Sequence, residues 1–203
     1  MQRARRSQAE RNAETRAALL RAARRRFAES GYANTGTEEI VEAAGVTRGA
    51  LYHHFTDKAA LFEAVVEAIA AEILAAIIDA ARTRRSAFAA LEAGCAAFLD
   101  AALAPEVRRI YLVDAVAVLG WARWRAIDAR YGMGSLRTGI ANVLKEQPDA
   151  AVSLDAATHI LSGALNEAAL WLAEAEDEAA ARRRFDQTFR ALLRRLFNPS
   201  RSG

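Results

Sequence analysis

The chain has very few residues that end helices or form cross-links. Its 203 residues include three prolines and a single cysteine, Cys95, while alanine is the most abundant residue. One cysteine cannot form an intramolecular disulfide, and the N-terminus lacks the apolar stretch of a signal peptide, so we expect a protein of the reducing cytoplasm. The shortage of proline beside so much alanine predicts a fold that is nearly all α-helix.

Alternating strands and long apolar runs are also missing. No stretch alternates apolar and polar residues over a useful length, which argues against a β-sheet. Charged residues interrupt the longest apolar stretches, so no segment qualifies as a transmembrane helix and no membrane partner is expected. The interrupting residues include Glu63, Glu67, Glu72 and Asp79.

Residues arranged for catalysis are absent as well. The sequence has no cluster spaced to hold a metal ion and no glycine-rich loop for a phosphate. His159 and Cys95 have no partners at a spacing typical of catalysis. The small apolar neighbours of Cys95 indicate a buried thiol and not a redox sensor. We therefore expect neither an enzyme nor a protein with a cofactor or a metal ion.

Positive charge is concentrated at the start of the chain. Residues 1–60 contain 11 Lys or Arg against 7 Asp or Glu, whereas the remaining residues contain 17 against 18. An excess of Lys and Arg attracts the phosphates of nucleic acids. We interpret residues 1–12 as a flexible basic arm, which is either a solvated tail or a contact to DNA phosphates or the minor groove.

Residues 37–55 carry the most informative pattern of the chain. Gly45 provides the backbone freedom for a tight turn between two short helices. Thr47 is suited to accept a backbone N–H at the start of the second helix. Leu51 and Phe55 are four residues apart and turn one face of that helix inward. The pattern predicts a helix-turn-helix whose second helix presents hydrogen-bond donors to a DNA groove.

The outward side of this motif supplies the candidate DNA contacts. Thr37 and Thr47 begin helices, where backbone N–H groups favour a phosphate, and a capping role at these positions is compatible with that contact. Arg48 either reads a guanine through two hydrogen bonds or contacts a phosphate only. The complete candidate set is Thr37, Thr47, Arg48, Gly49, Ala50, Tyr52, His53 and Lys58.

The stretch from Arg16 to about Ile69 resembles the tetracycline-repressor family of bacterial transcription regulators. The resemblance rests on Phe-Ala-Glu-Ser-Gly-Tyr at 27–32 and on Ala-Gly-Val-Thr-Arg-Gly-Ala-Leu-Tyr-His-His-Phe at 44–55. It continues with Lys58, Leu61 and Phe62 at matching spacing. Ala50 is a departure, because the family often carries Thr or Ser at this position.

This resemblance implies an all-helical homodimer that binds a palindromic operator in double-stranded DNA and represses transcription. It also implies that an unidentified small molecule, bound in the C-terminal domain, releases the protein from DNA. A transcriptional activator of the same fold and a helical interaction protein that does not bind DNA are the alternatives.

The helical pattern divides the chain into two domains. A helix-turn-helix domain over 13–60 precedes a fourth helix at about 58–80, which is long enough to couple it to the next domain. A larger helical ligand-binding and dimerisation domain spans 86–197, and residues 198–203 form a tail. The predicted helices of this larger domain lie at about 86–103, 105–118, 121–146, 153–175 and 178–197. Gly132 and Gly134 are the candidate interruption of the helix at 121–146.

Aromatic and polar residues of the larger domain are candidates for a ligand site. Aromatics concentrate between 107 and 136, which indicates either a pocket for a hydrophobic or planar ligand or ordinary core. Asp114 lies within an apolar run, where a carboxylate requires a cationic partner, a cationic ligand or exposure to solvent. His159, Ser162 and Asn166 form a polar stripe that suits a pocket, an interface or solvent. The ligand candidates are Phe98, Tyr111, Asp114, Trp121, Trp124, Tyr131, His159 and Asn166.

The last two predicted helices have repeating apolar faces. Two such helices from each of two subunits form a four-helix interface, and the same faces also suit burial within one subunit. The interface candidates are Leu161, Leu165, Phe185, Phe189, Leu192 and Leu196.

Overall fold

The computed structural model describes residues 8–197, which form helices joined by short turns. The elements are α1 (Gln8–Ser30), α2 (Thr37–Ala44), α3 (Arg48–His54), α4 (Lys58–Arg82), α5 (Ala87–Leu103), α6 (Pro105–Val107), a π-helical segment (Arg108–Asp114), α7 (Ala115–Leu119), α8 (Trp121–Arg130), α9 (Gly132–Glu146), α10 (Leu154–Ala173) and α11 (Glu178–Phe197). Within residues 8–197 there is no strand, and the all-α prediction is confirmed.

The first helix begins earlier than its sequence suggested. α1 starts at Gln8 and not at Ala13, so residues 8–12 of the predicted flexible arm are helical. Good helix formers fill this stretch, and the side chain of Arg11 donates to Gln8 Oε1 at 3.0 Å within the first turn. Residues 1–7 of the predicted arm and the predicted tail at 198–203 lie outside the described residues.

Among the described residues, five helices begin at a side chain that accepts a backbone N–H three residues later. The caps are Thr47 on Ala50 N at 3.2 Å, Asp57 on Ala60 N at 2.7 Å, Ser86 on Ala89 N at 3.2 Å, Ser153 on Ala156 N at 3.3 Å and Asp177 on Ala180 N at 2.9 Å. Each satisfies one backbone donor that the first turn of a helix leaves unpaired. Because these caps are local features, the sequence predicted the starts of α3, α4, α5 and α10 to within about a residue.

The small N-terminal domain is built around three packed aromatic rings. The ring of Phe62 lies edge-on to Phe27 at 5.1 Å and to Tyr32 at 4.9 Å between centroids. Ile40 of α2 and Leu51 of α3 are fully buried in the same core. Burial of each such apolar side chain contributes about 1.5–3 kcal/mol to stability. The second helix of the helix-turn-helix, α3, is therefore fixed from its inner face.

The long helix α4 contributes to the cores of both domains. Its buried residues run from Leu61 to Ile77, so one helix belongs to both cores. α4 packs along α5, α5 packs on α9 and α10, and α11 packs on α10. The result is a helical bundle that continues directly from the helix-turn-helix domain.

Two connections in the bundle differ from the predicted helices. The predicted helix at 105–118 consists of α6, the π-helical segment and α7. The predicted interruption of the next helix occurs at Tyr131, just before Gly132. Only glycine fits at position 134, because a Cβ there would lie 2.5 Å from the carbonyl oxygen of Ala129.

Among the described residues, no single helix is long and apolar enough to cross a membrane. One consecutive pair, Ala87–Leu103 with Pro105–Leu119, reaches that length and composition only together and is bent by 82°.

Replacement of Asp57 tests the cap that starts α4. We expect Asp57→Ala to lower the free energy of unfolding by about 1 kcal/mol, because the Ala60 N–H loses its acceptor. Urea denaturation followed by circular dichroism measures this change. Asp79→Ala is the control, since Asp79 is exposed within α4 and only pairs with nearby Arg82. Equal loss in both variants would contradict the assigned cap.

Candidate DNA interface and effector cavity

The outer surface of α3 presents polar groups around a glycine. Arg48, Gly49, Tyr52 and His53 are exposed, while Leu51 on the opposite side is fully buried. The Arg48 guanidinium lies 5.5 Å from the centre of the Tyr52 ring, so the two side chains support each other. This arrangement agrees with the predicted outward face of the helix.

Glu38 of α2 lies beside the Arg48 side chain. Arg48 Nη1 donates to Glu38 Oε1 at 2.7 Å, and both side chains are largely exposed. Hydrogen bonding from its own backbone N–H, then from Thr37, and the charge of Arg48 together hold the pKa of the Glu38 carboxyl below its ordinary value. Glu38 is therefore an ionised carboxylate that pairs with the Arg48 guanidinium when no other anion is bound.

The two threonines have different local roles. Thr47 caps α3, as predicted. Thr37 is the first residue of α2 and not its cap, because Gly36 holds the capping position without a side-chain bond. The Thr37 hydroxyl donates to Glu38 Oε2 at 3.1 Å.

Gly49 leaves open space at the surface of α3. A Cβ at this position would meet only the Thr47 hydroxyl at 3.9 Å, an ordinary contact. The protein itself therefore does not require glycine here. Ala50, the next residue, is half-buried and gives its backbone N–H to the Thr47 cap.

Lys58 was predicted to hold a phosphate, but its side chain is bonded within the protein. Its ammonium donates to the carbonyl oxygens of Tyr32 and Thr35, each at 3.0 Å, and lies 4.1 Å from the centre of the Tyr32 ring. Two of its three N–H donors are thus used within the protein. Lys58 clamps the turn after α1 to the start of α4.

The larger domain contains a cavity of about 320 Å³ between α4, α5, α9 and α10, which is partly open to solvent. The lining residues with exposed side chains, including Ile78, Arg82 and Asn142, place its mouth near the ends of α4 and α9. Most of the wall is apolar. Its buried apolar lining consists of Ile77, Leu91, Cys95, Phe98, Leu136 and Leu165.

Cys95 lines this cavity as a neutral thiol. Burial, followed by the nearby charge of Glu92, raises the pKa of the thiol from 9.0 to about 12. A thiol that stays protonated at neutral pH is neither a nucleophile nor a metal ligand. The prediction of a buried cysteine is confirmed.

A buried carboxylate forms the polar part of the cavity wall. Asp128 is 2% exposed and accepts hydrogen bonds from the Tyr111 hydroxyl at 3.1 Å and Arg125 Nη1 at 2.8 Å. The same Arg125 nitrogen donates to Ser162 Oγ at 3.1 Å. Burial and the adjacent Asp128 charge raise the pKa of the Tyr111 hydroxyl well above its ordinary value, so Tyr111 remains a donor.

Two of the eight predicted ligand residues line the cavity, namely Phe98 and Asn166. Tyr111 and Trp124 are buried in the core, where the Trp124 indole donates to the Tyr111 carbonyl at 2.8 Å. Trp121 is 59% exposed and packs on Trp124 from outside. These three large aromatic side chains pack against each other and do not line the cavity.

The remaining three ligand candidates also lie elsewhere. Asp114 turns toward the small domain, where Asp114 Oδ2 accepts the backbone N–H of Tyr32 at 3.0 Å. Tyr131 occupies the break between α8 and α9, with the Arg130 guanidinium over its ring at 5.7 Å. His159 is exposed, and its Nδ1 lies 2.9 Å from the Asp155 carbonyl oxygen.

Sequence reasoning missed Arg125 and Asp128. A signal was present, because Asp128 follows Trp124 by four residues and therefore shares the face of a buried tryptophan. Arg125, three residues before Asp128, supplies the compensating charge. In the sequence alone, both resemble ordinary surface residues of an amphipathic helix.

The predicted interface residues divide into an inner and an outer group. Leu161, Leu165 and Phe189 are buried within the subunit and are unavailable to a partner. Phe185 and Leu196 are half-buried, and Leu192 is 48% exposed. The sequence reasoning missed Ile160 and Trp171 of α10, which are 66% and 47% exposed.

The π-helical segment connects the cavity to the small domain. Tyr111 in this segment contacts Asp128 of the cavity wall. Two residues before it, Arg109 Nη1 donates to the carbonyl oxygens of Ala28 and Glu29 at the end of α1, each at 3.0 Å. Asp114 at the other end of the segment holds the Tyr32 N–H. One short segment thus contacts both sites.

A helix-turn-helix with an exposed second helix on a small domain, joined to a larger helical domain with a cavity, is the architecture of a ligand-responsive DNA-binding regulator. Residues 19–65 match the family of bacterial regulatory proteins called the tetR family, and residues 88–196 match the tetracyclin repressor-like C-terminal domain. The chain belongs to the tetracycline-repressor family. Its members are ligand-responsive transcriptional regulators, and most of them are repressors.

Individual relatives are similar to this chain either over most of its length or over a shorter segment. A TetR-family transcriptional regulator from Pectobacterium atrosepticum, known from its crystal structure, is 39% identical, covers 97% of this chain and 100% of its own, and superposes with a TM-score of 0.76. The transposon Tn10 TetC protein of Escherichia coli is 25% identical over 81% of this chain and 83% of that protein. The HTH-type transcriptional regulator TtgR of Pseudomonas putida is 45% identical over 56 residues, 28% of this chain and 27% of that protein.

Proposed function

We propose that the chain is a repressor that binds a palindromic operator in double-stranded DNA as a homodimer, and that a small hydrophobic or aromatic molecule in the cavity releases it. The observation that carries this proposal is the surface of α3, where Arg48, Tyr52 and His53 are exposed around Gly49 above buried Leu51. A protein with this role works in the cytoplasm. An activator of the same fold is the alternative, and deletion of the operator distinguishes the two by whether transcription rises or falls.

In this proposal α3 enters the major groove. Gly49 permits close approach of the helix backbone, Arg48 exchanges Glu38 for a guanine edge or a phosphate, and Tyr52 offers its hydroxyl to a phosphate. Thr37 and Thr47 lie at helix starts, where outward N–H groups favour a phosphate. Lys58 acts indirectly by holding the turn after α1.

Removal of the proposed contacts tests the DNA interface. We expect Arg48→Ala and Tyr52→Ala each to lower operator affinity by about 5–150-fold, because a specific contact contributes about 1–3 kcal/mol. Fluorescence anisotropy on duplex DNA from upstream of the coding region, at several salt concentrations, measures the affinity and the number of subunits bound.

The control for this experiment is Arg137→Ala. Arg137 is exposed in the larger domain and pairs with Asp155, so its replacement removes the same charge away from α3. A scrambled duplex reports non-specific attraction. Unchanged operator binding by both α3 variants would refute this assignment of the recognition helix.

Exposed apolar side chains on α10 and α11 support the homodimer. Ile160 and Trp171 are separated by eleven residues, about three helical turns, and therefore lie on one face of α10. Gly163 lies on the same side, and a Cβ there would meet nothing within 4 Å in the subunit. On α11, Leu192 is exposed as well, at 48%. Burial of this face against a second copy would remove several large apolar side chains from water.

A charge on this face tests the homodimer. We expect Ile160→Glu to raise the dimer dissociation constant at least about tenfold, because a two-fold axis brings both introduced carboxylates into one interface. Analytical ultracentrifugation measures the constant. Ile78→Glu is the matched control, since Ile78 is 55% exposed but lies on α4 at the mouth of the cavity. If Ile160→Glu dimerises like the control, the interface lies elsewhere.

The route of the ligand signal is proposed to be the π-helical segment together with α4. A molecule in the cavity shifts Asp128 and Tyr111, and the segment transmits the shift through Arg109 and Asp114 to the end of α1. A small rotation there moves the two recognition helices away from the separation of roughly 34–36 Å that one turn of DNA requires.

A double-mutant cycle tests this route without a ligand. Ala90 lines the cavity, so Ala90→Phe mimics an occupied cavity, and we expect it to weaken operator binding by a factor of about 5–150. In an Arg109→Gln background the same change is expected to have less than half that effect in free energy, because the segment no longer holds α1. Additive effects in anisotropy measurements would exclude Arg109 from the route.

A further inference from the structure

The polar end of the cavity has a specific hydrogen-bonding capacity. Asp128 Oδ1 accepts from the Tyr111 hydroxyl at 3.1 Å and from the backbone N–H of Met133 at 3.3 Å. Asp128 Oδ2 accepts only from Arg125, at 2.8 Å, among the described residues. Because each carboxylate oxygen can accept about two hydrogen bonds, Oδ2 retains one acceptor position. The carboxylate therefore has room for one more O–H or N–H donor.

Side chains that can donate a hydrogen bond to a ligand lie on α10. Ser162 Oγ accepts from Arg125 at 3.1 Å, which leaves its own O–H available to donate. Asn166, one turn further along α10, lines the cavity and makes no side-chain hydrogen bond within residues 8–197. A ligand group at this end of the cavity consequently meets one acceptor and at least one donor.

The charges at this end cancel. Asp128 is almost fully buried, and its partner Arg125 lies within hydrogen-bond distance at 21% side-chain exposure. A ligand anion would approach the Asp128 carboxylate, and a ligand cation would compete with Arg125 for it. Because burial of an unpaired charge is costly, the compensated pair favours an uncharged ligand.

The remaining wall limits the size and polarity of the ligand. A volume of about 320 Å³ is at the small end of ligand sites and accommodates one substituted ring. Phe98 and Leu165 supply apolar surface close to the polar end, and the neutral thiol of Cys95 adds no charge. The body of the ligand is therefore apolar.

We propose that the cavity binds small uncharged phenols, whose hydroxyl donates to Asp128 Oδ2 and accepts from Ser162 or Asn166 while the ring occupies the apolar part. A hydroxyl is both donor and acceptor and matches this pair of partners. A phenolic O–H is more acidic than that of an aliphatic alcohol and therefore makes a stronger bond to a carboxylate. This inference depends on the proposed function only in regarding the cavity as the effector site.

Four probes of nearly equal shape test this selectivity. Isothermal titration calorimetry of the full chain is carried out with p-cresol, toluene, p-toluate and p-methylbenzylamine. We expect p-cresol to bind at least about tenfold more tightly than each of the other three, because toluene leaves the polar groups unpaired and the other two are charged. Methylcyclohexanol is expected to bind between p-cresol and toluene.

Two variants locate the selectivity at the polar end. Asp128→Asn is expected to reduce the preference for p-cresol over toluene, although loss of the Arg125 partner also lowers stability. Asn166→Leu removes a half-buried amide that bonds to no described protein group, so we expect the fold to be retained. The preference is expected to fall at least about threefold, because an amide that can donate to the ligand hydroxyl is lost. Asn142→Leu, at the exposed mouth, is the control and is expected to leave the preference unchanged.

The outcomes separate this proposal from the proposed function. Toluene binding as tightly as p-cresol, or tighter binding of p-toluate, would overturn the assigned ligand class. No binding of p-cresol by a sample that binds its operator would also overturn the ligand class while leaving the regulator intact. Loss of p-cresol selectivity in Asp128→Asn together with unchanged selectivity in Asn142→Leu would support it. Failure to bind any upstream duplex would count against the proposed function alone.

Discussion

The orientation of the recognition helix depends on how the larger domain holds the end of α1. The guanidinium of Arg109 donates to the carbonyls of Ala28 and Glu29 in the last turn of that helix, and the Asp114 carboxylate accepts the N–H of Tyr32 just beyond it. Lys58 completes the attachment from α4. The guanidinium satisfies unpaired carbonyls at the end of α1, and its positive charge interacts favourably with the negative end of the helix dipole. α4 and these three side chains therefore join the small domain to the larger one.

The cavity and the small domain meet at opposite sides of one π-helical segment. A π-helix has a less regular hydrogen-bond ladder than an α-helix, and such segments are frequent at functional sites. Here Tyr111 faces the cavity wall, while Arg109 and Asp114 face α1. The proposed signal from the cavity to α1 therefore has to cross only this seven-residue segment.

The sequence was sufficient for the features that depend on near neighbours along the chain. The cap at Thr47 and the left-handed turn at Gly45, with φ of 66°, involve only residues a few positions away. The cavity could not be predicted in the same way, because its wall combines single faces of four helices. Aromatic type alone suggested Tyr111 and Trp124, which serve the core, whereas Asp128 acquires its role only through packing.

The ion pair between Glu38 and Arg48 has a consequence for the search along DNA. While Glu38 neutralises Arg48, the surface of α3 offers one fewer free positive charge to any phosphate it meets. Non-specific affinity, which depends on the number of phosphates neutralised, is reduced accordingly. A phosphate and a guanine edge can each accept two hydrogen bonds from a guanidinium, so either must displace Glu38 before it binds Arg48. On the proposed interface, the carboxylate therefore weakens every contact of Arg48 with DNA.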